Sequence, residues 1–241
     1  MIISERLLLI YLRRNLETLV TRTYKKLITK NCSQIFPKKL IFTSIKNEAL
    51  VEKRHQQIVD GACKIFFEKG YHPTTIRDIA KACGMSMGQL YQYIHSKDDV
   101  LYLVHKHMHV VWYDYIERSN LEQIDNPLQK LREALYHSFE FMIENKKLIQ
   151  FVYSESKYLD KRYLKVVLEM DYNNIIGFWH GLLEEVNTEK AIKGDLDILA
   201  SWVVFQQVFL PLRGWTLRDK PTKKTLDSLQ DFILRGLGVV Y

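Results

Sequence analysis

Cysteine, proline and glycine are all scarce in this chain of 241 residues, which holds 3, 5 and 10 of them. Each shortage removes a class of fold. Cys32, Cys63 and Cys83 are odd in number and nowhere form a Cys-x-x-Cys pair, so neither a disulfide framework nor a zinc knuckle is implied. So few prolines and glycines leave little material for the tight turns of a sheet protein, and long runs of Leu, Ile, Glu, Lys and Gln favour helices. Also missing is an apolar run of the roughly 20 residues that a membrane-spanning helix needs. The stretch 7–12 is apolar but meets Arg13 and Arg14 at once, and with no small-residue cleavage site after it, it is a poor secretory signal. Catalytic signatures are lacking too: there is no Gly-rich phosphate loop, no Gly-x-Ser-x-Gly, and no nucleophile beside a recognisable base. Glu184 and Glu185 are adjacent and diverge on a helix, so they cannot face each other as an acid–base couple. The reading is of a cytoplasmic, non-enzymatic protein with no catalytic residue, no metal, no cofactor and no stable membrane association.

What is present is an apolar content of 47%, enough for a sizeable core, and a net charge of +7. The charge is unevenly placed. Residues 1–50 carry ten Lys and Arg against three Glu, while the rest of the chain carries 25 of each sign. Residues 1–50 therefore have two readings. One is a basic N-terminal extension that touches DNA phosphates or a membrane surface. The other is a non-native stretch upstream of a start at Val51, where a GTG codon would open a bacterial gene.

From Glu52 onward apolar residues recur at helical spacing: Ile58, Ala62, Ile65 and Phe66 predict a first helix that Gly70 ends. Thr75, three residues before Asp78, predicts a capping box for a two-turn helix with Ile76, Ile79, Ala80 and Cys83 on one side. Gly84 closes it. Ser86 and Gln89 form a second such pattern, followed by inward-facing Leu90 and Ile94, and Ser96 with Asp99 opens a long helix to about Arg118. Two short helices across a tight glycine turn predict a helix-turn-helix, whose second helix enters the DNA major groove with its N-terminal residues nearest the bases. Ser86 and Gly88 are small enough to let the backbone approach. Gln89 has the donor and acceptor that a base edge requires, and the Tyr91 and Tyr93 hydroxyls and the Lys97 ammonium suit flanking phosphates.

At these residues the chain resembles the TetR family of bacterial transcriptional regulators. The likeness rests on "IVDGACKIFFEKGYHPTTIRDIAKACGMSMGQLYQYIHSKDDVL": a Gly-ended first helix, a Thr-capped "IRDIA", a glycine turn and a "LY" pair before "SK" and acidic residues. Cys83, Met85 and Ile94 stand where Ala, Val and Phe are commoner in the family. The resemblance implies DNA contacts from Thr75, Arg77, Ser86, Met87, Gly88, Gln89, Tyr91, Tyr93 and Lys97. It also implies a helical region that binds a small organic effector and pairs two copies through its last long helices, hence a homodimer on double-stranded operator DNA.

The expected architecture is all-α: a helix-turn-helix domain over residues 51–98, then a larger effector-binding and dimerisation domain over 99–241. Beyond Asn120, helices are expected from Pro127 to about Asn145, on to about Ser154, from Asp160 to Asn187, from Asp195 to near Leu210, and from about Thr222 to Leu237. The segment "LDILASWVVFQQVFLPL" is apolar nearly all round and must be covered by its own domain or by a second copy. Tyr153, Tyr172, Trp179, His180, Trp202 and Gln206 are the residues expected to meet an effector. His105 and His109 share a helix face, but nothing nearby completes a metal set, so they are read as exposed or satisfied histidines, with pocket lining by one of them as the alternative. The expected function is that of a transcriptional regulator, a repressor released from DNA by a hydrophobic or amphipathic effector. The rival is a helical membrane-surface or protein-interaction module that uses the basic N-terminal arm.

Overall fold

The computed structural model describes residues 40–187, 192–220 and 222–239, and the regular structure in them is helical throughout. Residues 1–39, the greater part of the basic N-terminal extension, lie outside the described residues. The first helix, α1, spans Glu48–Lys69 and starts a turn earlier than the apolar pattern suggests, because the Asn47 side chain accepts from the Leu50 amide at 3.0 Å. The boundary drawn at Val51 therefore falls inside α1. Just upstream, Ile41 is buried and the Thr43 hydroxyl donates to the Gln92 carbonyl at 2.8 Å, so residues 40–47 pack onto the helix-turn-helix.

Two short helices follow, α2 at Ile76–Ala82 and α3 at Met87–Leu90, and then the long α4 at Lys97–Arg118. Helix α5 is Pro127–Glu144, capped by Asn126, with its proline in the first turn where the missing N–H is no loss. Then come α6 at Lys146–Glu155 and α7 at Lys161–Met170. The expected helix from Asp160 to Asn187 exists but is not uniform: Asp171–Ile176 is wound as a π-helix, and the chain continues directly into α8, Gly177–Val186. Asp195 caps α9, which runs Leu196–Arg213, past the expected end at Leu210 and through Pro211. The last helix, α10, is Thr222–Gly236, tied to α5 by the Gln230 amide donating to the Arg132 carbonyl at 2.6 Å.

Helix α4 is the shared spine: its start packs on α1, and further along it meets α5, α6 and α7. It runs in the same direction as the α7–π–α8 rod. Tyr102 stacks on Tyr163 at 4.6 Å, His109 lies 3.1 Å from Asp171, and Trp112 meets Phe178 edge-on at 5.2 Å, the numbers rising together on both sides. One apolar core runs through the described residues, from Ile58 in α1 to Leu234 in α10. Among those residues no helix is long and apolar enough to cross a membrane.

Candidate DNA-binding surface and effector interior

The helix-turn-helix is set by contacts of α1 with the end of α2. A Cβ on Gly61 would lie 2.6 Å from Cys83 Sγ and 2.9 Å from the Cys83 nitrogen, so only glycine allows the two helices this close. The Gln57 side-chain amide then donates to the Cys83 carbonyl at 2.7 Å, satisfying an acceptor at the helix end. Gly84, at φ 65, turns the chain in a conformation that side chains avoid.

Both capping boxes form. Thr75 Oγ1 accepts from the Asp78 amide at 3.1 Å while the Asp78 carboxylate accepts from the Thr75 amide at 2.9 Å. Those hydrogen bonds hold the Asp78 carboxyl below the usual carboxylate range. Ser86 Oγ accepts from the Gln89 amide at 3.2 Å, and Gln89 Oε1 accepts from the Ser86 amide at 2.9 Å. With its oxygen engaged, Gln89 has its Nε2 hydrogens left to offer a partner. Thr75, Arg77, Ser86, Gly88, Gln89 and Tyr91 are exposed, Met87 is half-buried, and a Cβ at Gly88 would meet nothing within 4 Å.

Tyr93 and Lys97 are placed otherwise than the sequence suggests. Helix α3 ends at Leu90, and the turn over 91–93 swings the Tyr93 ring inward while Tyr91 stays out; the Tyr93 carbonyl meets His55 Nε2 at 3.0 Å. Burial pushes the His55 imidazole below its ordinary value, against the raising effect of that carbonyl. The Lys97 ammonium donates to the carbonyls of Tyr71, Thr74 and His72 at 2.8, 3.0 and 3.2 Å and lies 4.1 Å from the Tyr71 ring centre. Its charge holds the loop that delivers Thr75 to α2.

The helix-turn-helix is tied to the rest of the chain through Asp99. Its carboxylate accepts from the His95 amide at 2.7 Å, from the Ser96 hydroxyl at 3.2 Å and from the Tyr163 hydroxyl at 2.5 Å. A group at the exit of the helix-turn-helix is thus bonded to α7, which leads into the π segment.

Of the expected effector residues, Trp179 is fully buried and Tyr153, Tyr172, His180 and Gln206 are half-buried. Burial pushes the Tyr153 phenol up, and Asp171 adds to the shift. His180 sits between Glu184 and Asp197 at 3.7 and 3.6 Å. Trp202 instead points outward, its ring beside exposed Phe205 at 5.7 Å. More telling are other interior residues, of which the sequence singles out His105 and His109 but not Trp112, Asn174 or Gln207. His105, His109, Trp112, Asn174 and Gln207 are buried, yet His105 Nε2, His109 Nδ1, Trp112 Nε1, Asn174 Nδ2 and both polar atoms of the Gln207 side chain have no hydrogen-bond partner. Against the reading of both histidines as exposed or satisfied, His105 is neither, while His109 is buried with its Nε2 3.1 Å from the Asp171 carboxylate. Spacing did hold one clue, since His105, His109 and Trp112 recur at i, i+4 and i+7 on one face of α4. No sequence pattern shows that a buried donor lacks an acceptor.

The sequence profile of the family described as bacterial regulatory proteins, tetR family, matches residues 58–102. The transcriptional regulator HbdR of Aromatoleum sp. (strain CIB) is 37% identical over 92 residues, which cover 38% of this chain and 40% of that protein, less than half its length. The fatty acid metabolism regulator protein of Bacillus subtilis (strain 168) is 26% identical over 189 residues, 76% of this chain and 93% of that one. In fold, the chain is similar to AibR solved with isovaleryl coenzyme A and operator DNA, with a TM-score of 0.61 at 18% identity, covering 78% of this chain and 100% of that one.

Proposed function

Because this chain belongs to the tetR family of bacterial regulatory proteins, we propose that it is a sequence-specific transcriptional repressor that leaves its operator when a small hydrophobic or amphipathic molecule binds its larger helical domain. The observation that carries this reading is the exposed strip of Thr75, Arg77, Ser86, Gly88, Gln89 and Tyr91, held rigid by two capping boxes across the Gly84 turn. Gln89 and Met87 read base edges in the major groove, while Thr75, Arg77 and Tyr91 fix the register on phosphates. Tyr93 and Lys97 support the strip from behind.

The working unit is a homodimer in the cytoplasm. Ile198, Trp202 and Phe205 form an exposed apolar stripe on α9, and α10 adds exposed Phe232. Two copies joined there present two α3 helices to successive major grooves on one side of the duplex. A DNA-binding domain reaches to about residue 98, residues 40–50 included, and an effector and dimerisation domain makes up the rest. The effector favours a dimer geometry with a different α3 separation, so operator affinity falls by its differential affinity for the two states. The route is α4 with the Asp99–Tyr163 bond. The name of one relative, a fatty acid metabolism regulator, and the isovaleryl coenzyme A bound to AibR support an acyl-type effector.

Selection of duplexes from a random pool by the full-length chain tests this. Enrichment of a two-fold symmetric site is the expected result. A pool that stays random through repeated rounds contradicts the proposal.

A further inference from the structure

Among the buried polar atoms left without a hydrogen-bond partner in the larger domain, donors on α4, the π segment and α9 stand out. Trp112 Nε1 and Asn174 Nδ2 only donate, and Gln207 brings an NH2 group beside its single oxygen. The His105 imidazole, held neutral by burial, adds one N–H beside one acceptor nitrogen, while His109 Nε2 faces the Asp171 carboxylate at 3.1 Å. Trp112, Asn174 and Gln207 are all more than nine-tenths buried, on three different elements: α4, the π segment, and α9, which packs against that segment. Buried donors of this kind are rare unless an acceptor reaches them. π-helical turns within a helix often mark a ligand site.

There is also room. Gly177 is buried, yet a Cβ built on it would meet only the Tyr172 carbonyl oxygen, at 3.6 Å. No neighbouring helix presses on it, so close helix packing does not account for this glycine. It lies one turn beyond Asn174 on the same rod.

The charge of the place is equally telling. A charged group borders the place: Asp171 lies 3.1 Å from His109 Nε2. Burial pushes His105 down to about 4, with Asp171 opposing and His109 assisting, and no lysine or arginine takes part. An incoming carboxylate would lose its water and face Asp171.

We propose that this interior, lined by His105, His109, Trp112, Asn174, Gly177 and Gln207, takes the carbonyl oxygen of a neutral ester, thioester or ketone on an apolar body, and rejects a free carboxylate. The proposal rests on the effector-controlled reading above and names the effector's polar group. The apolar body lies along α4 and α8 beside Phe178, and the carbonyl accepts from the Trp112 indole and the Asn174 amide.

The test titrates the full-length chain at neutral pH with methyl esters of straight-chain acids from butanoic to palmitic, and with the sodium salts of the same acids. Tryptophan fluorescence and thermal midpoint report binding without DNA. At least one ester is expected to bind about 10-fold tighter than its acid. Trp112→Phe and Asn174→Leu are each expected to weaken that ester about 10-fold. Gly177→Leu fills the space and should abolish binding while unfolding stays cooperative. The proposal fails if no ester binds, if the acids bind as well as the esters, or if both donor variants bind like the parent chain. Ester binding that leaves operator affinity unchanged supports this site and contradicts the repressor reading, so the two are told apart.

Discussion

Burial decides what each side chain can do here, and His105 is the sharpest case. Its imidazole is held down to about 4 by loss of water, whereas an unfolded histidine titrates near 6.5. Below that value the unfolded chain takes up a proton that the folded chain refuses, so stability is lost as pH falls from 6.5 toward 4. Between pH 7 and pH 5 this one group should cost about 2 kcal/mol. Urea unfolding of the parent and of His105→Phe at both values checks it: the parent should lose about 2 kcal/mol more than the variant, and equal losses would contradict the assignment. Gln89 and Tyr91 were legible in the sequence because a cap pattern fixes where α3 begins. Tyr93 and Lys97 were not. Their fate depends on where α3 stops and on which carbonyls the Tyr71–Thr74 loop turns toward, and neither is encoded at their own positions.

At the scale of the helices, most starts could be read because caps are local chemistry. Thr75, Ser86, Ser96, Asn126 and Asp195 each accept from an amide two or three residues on. The Asn47 cap went unread, since no apolar stripe leads into it. The π turn over Asp171–Ile176 left no periodic mark, because one added residue shifts the apolar phase no more than ordinary irregularity does. Gly61 likewise looked like any helical glycine until α2 was placed against it. Gly61→Ala should therefore cost about 1–3 kcal/mol despite alanine's better helix propensity, because the Cβ strikes Cys83 backbone and sulfur. Denaturant unfolding checks this, and a gain in stability would show that α2 gives way. Tyr163→Phe removes one of three donors to Asp99 and should cost about 1 kcal/mol. It should also speed amide exchange at His95 while leaving α2 unchanged, a pattern that a merely local loss around α7 would not give.

The whole molecule is two tasks joined by one helix. α4 begins at the exit of the helix-turn-helix and runs on beside the buried donors of the larger domain, so a displacement there has a direct path to α3. The all-round apolar character of α9 was legible in the sequence, though which of its faces stays open depends on how α5, α6 and α8 cover the rest. Replacing Trp202 and Phe205 together with Glu should turn a dimer into a monomer by sedimentation, and operator affinity should fall by at least about 10-fold because only one half-site is then held. A dimer that persists would place the interface elsewhere. The account as a whole depends on the exposed strip around α3 reading DNA. The direct measurement is the affinity of Gln89→Ala, Tyr91→Ala and the double variant for the selected duplex and for mixed-sequence duplex at fixed salt. Gln89→Ala should cost about 1–3 kcal/mol on the selected site, Tyr91→Ala should weaken both duplexes alike, and the double variant should combine the two losses. A folded double variant that binds and discriminates as the parent does would contradict the account.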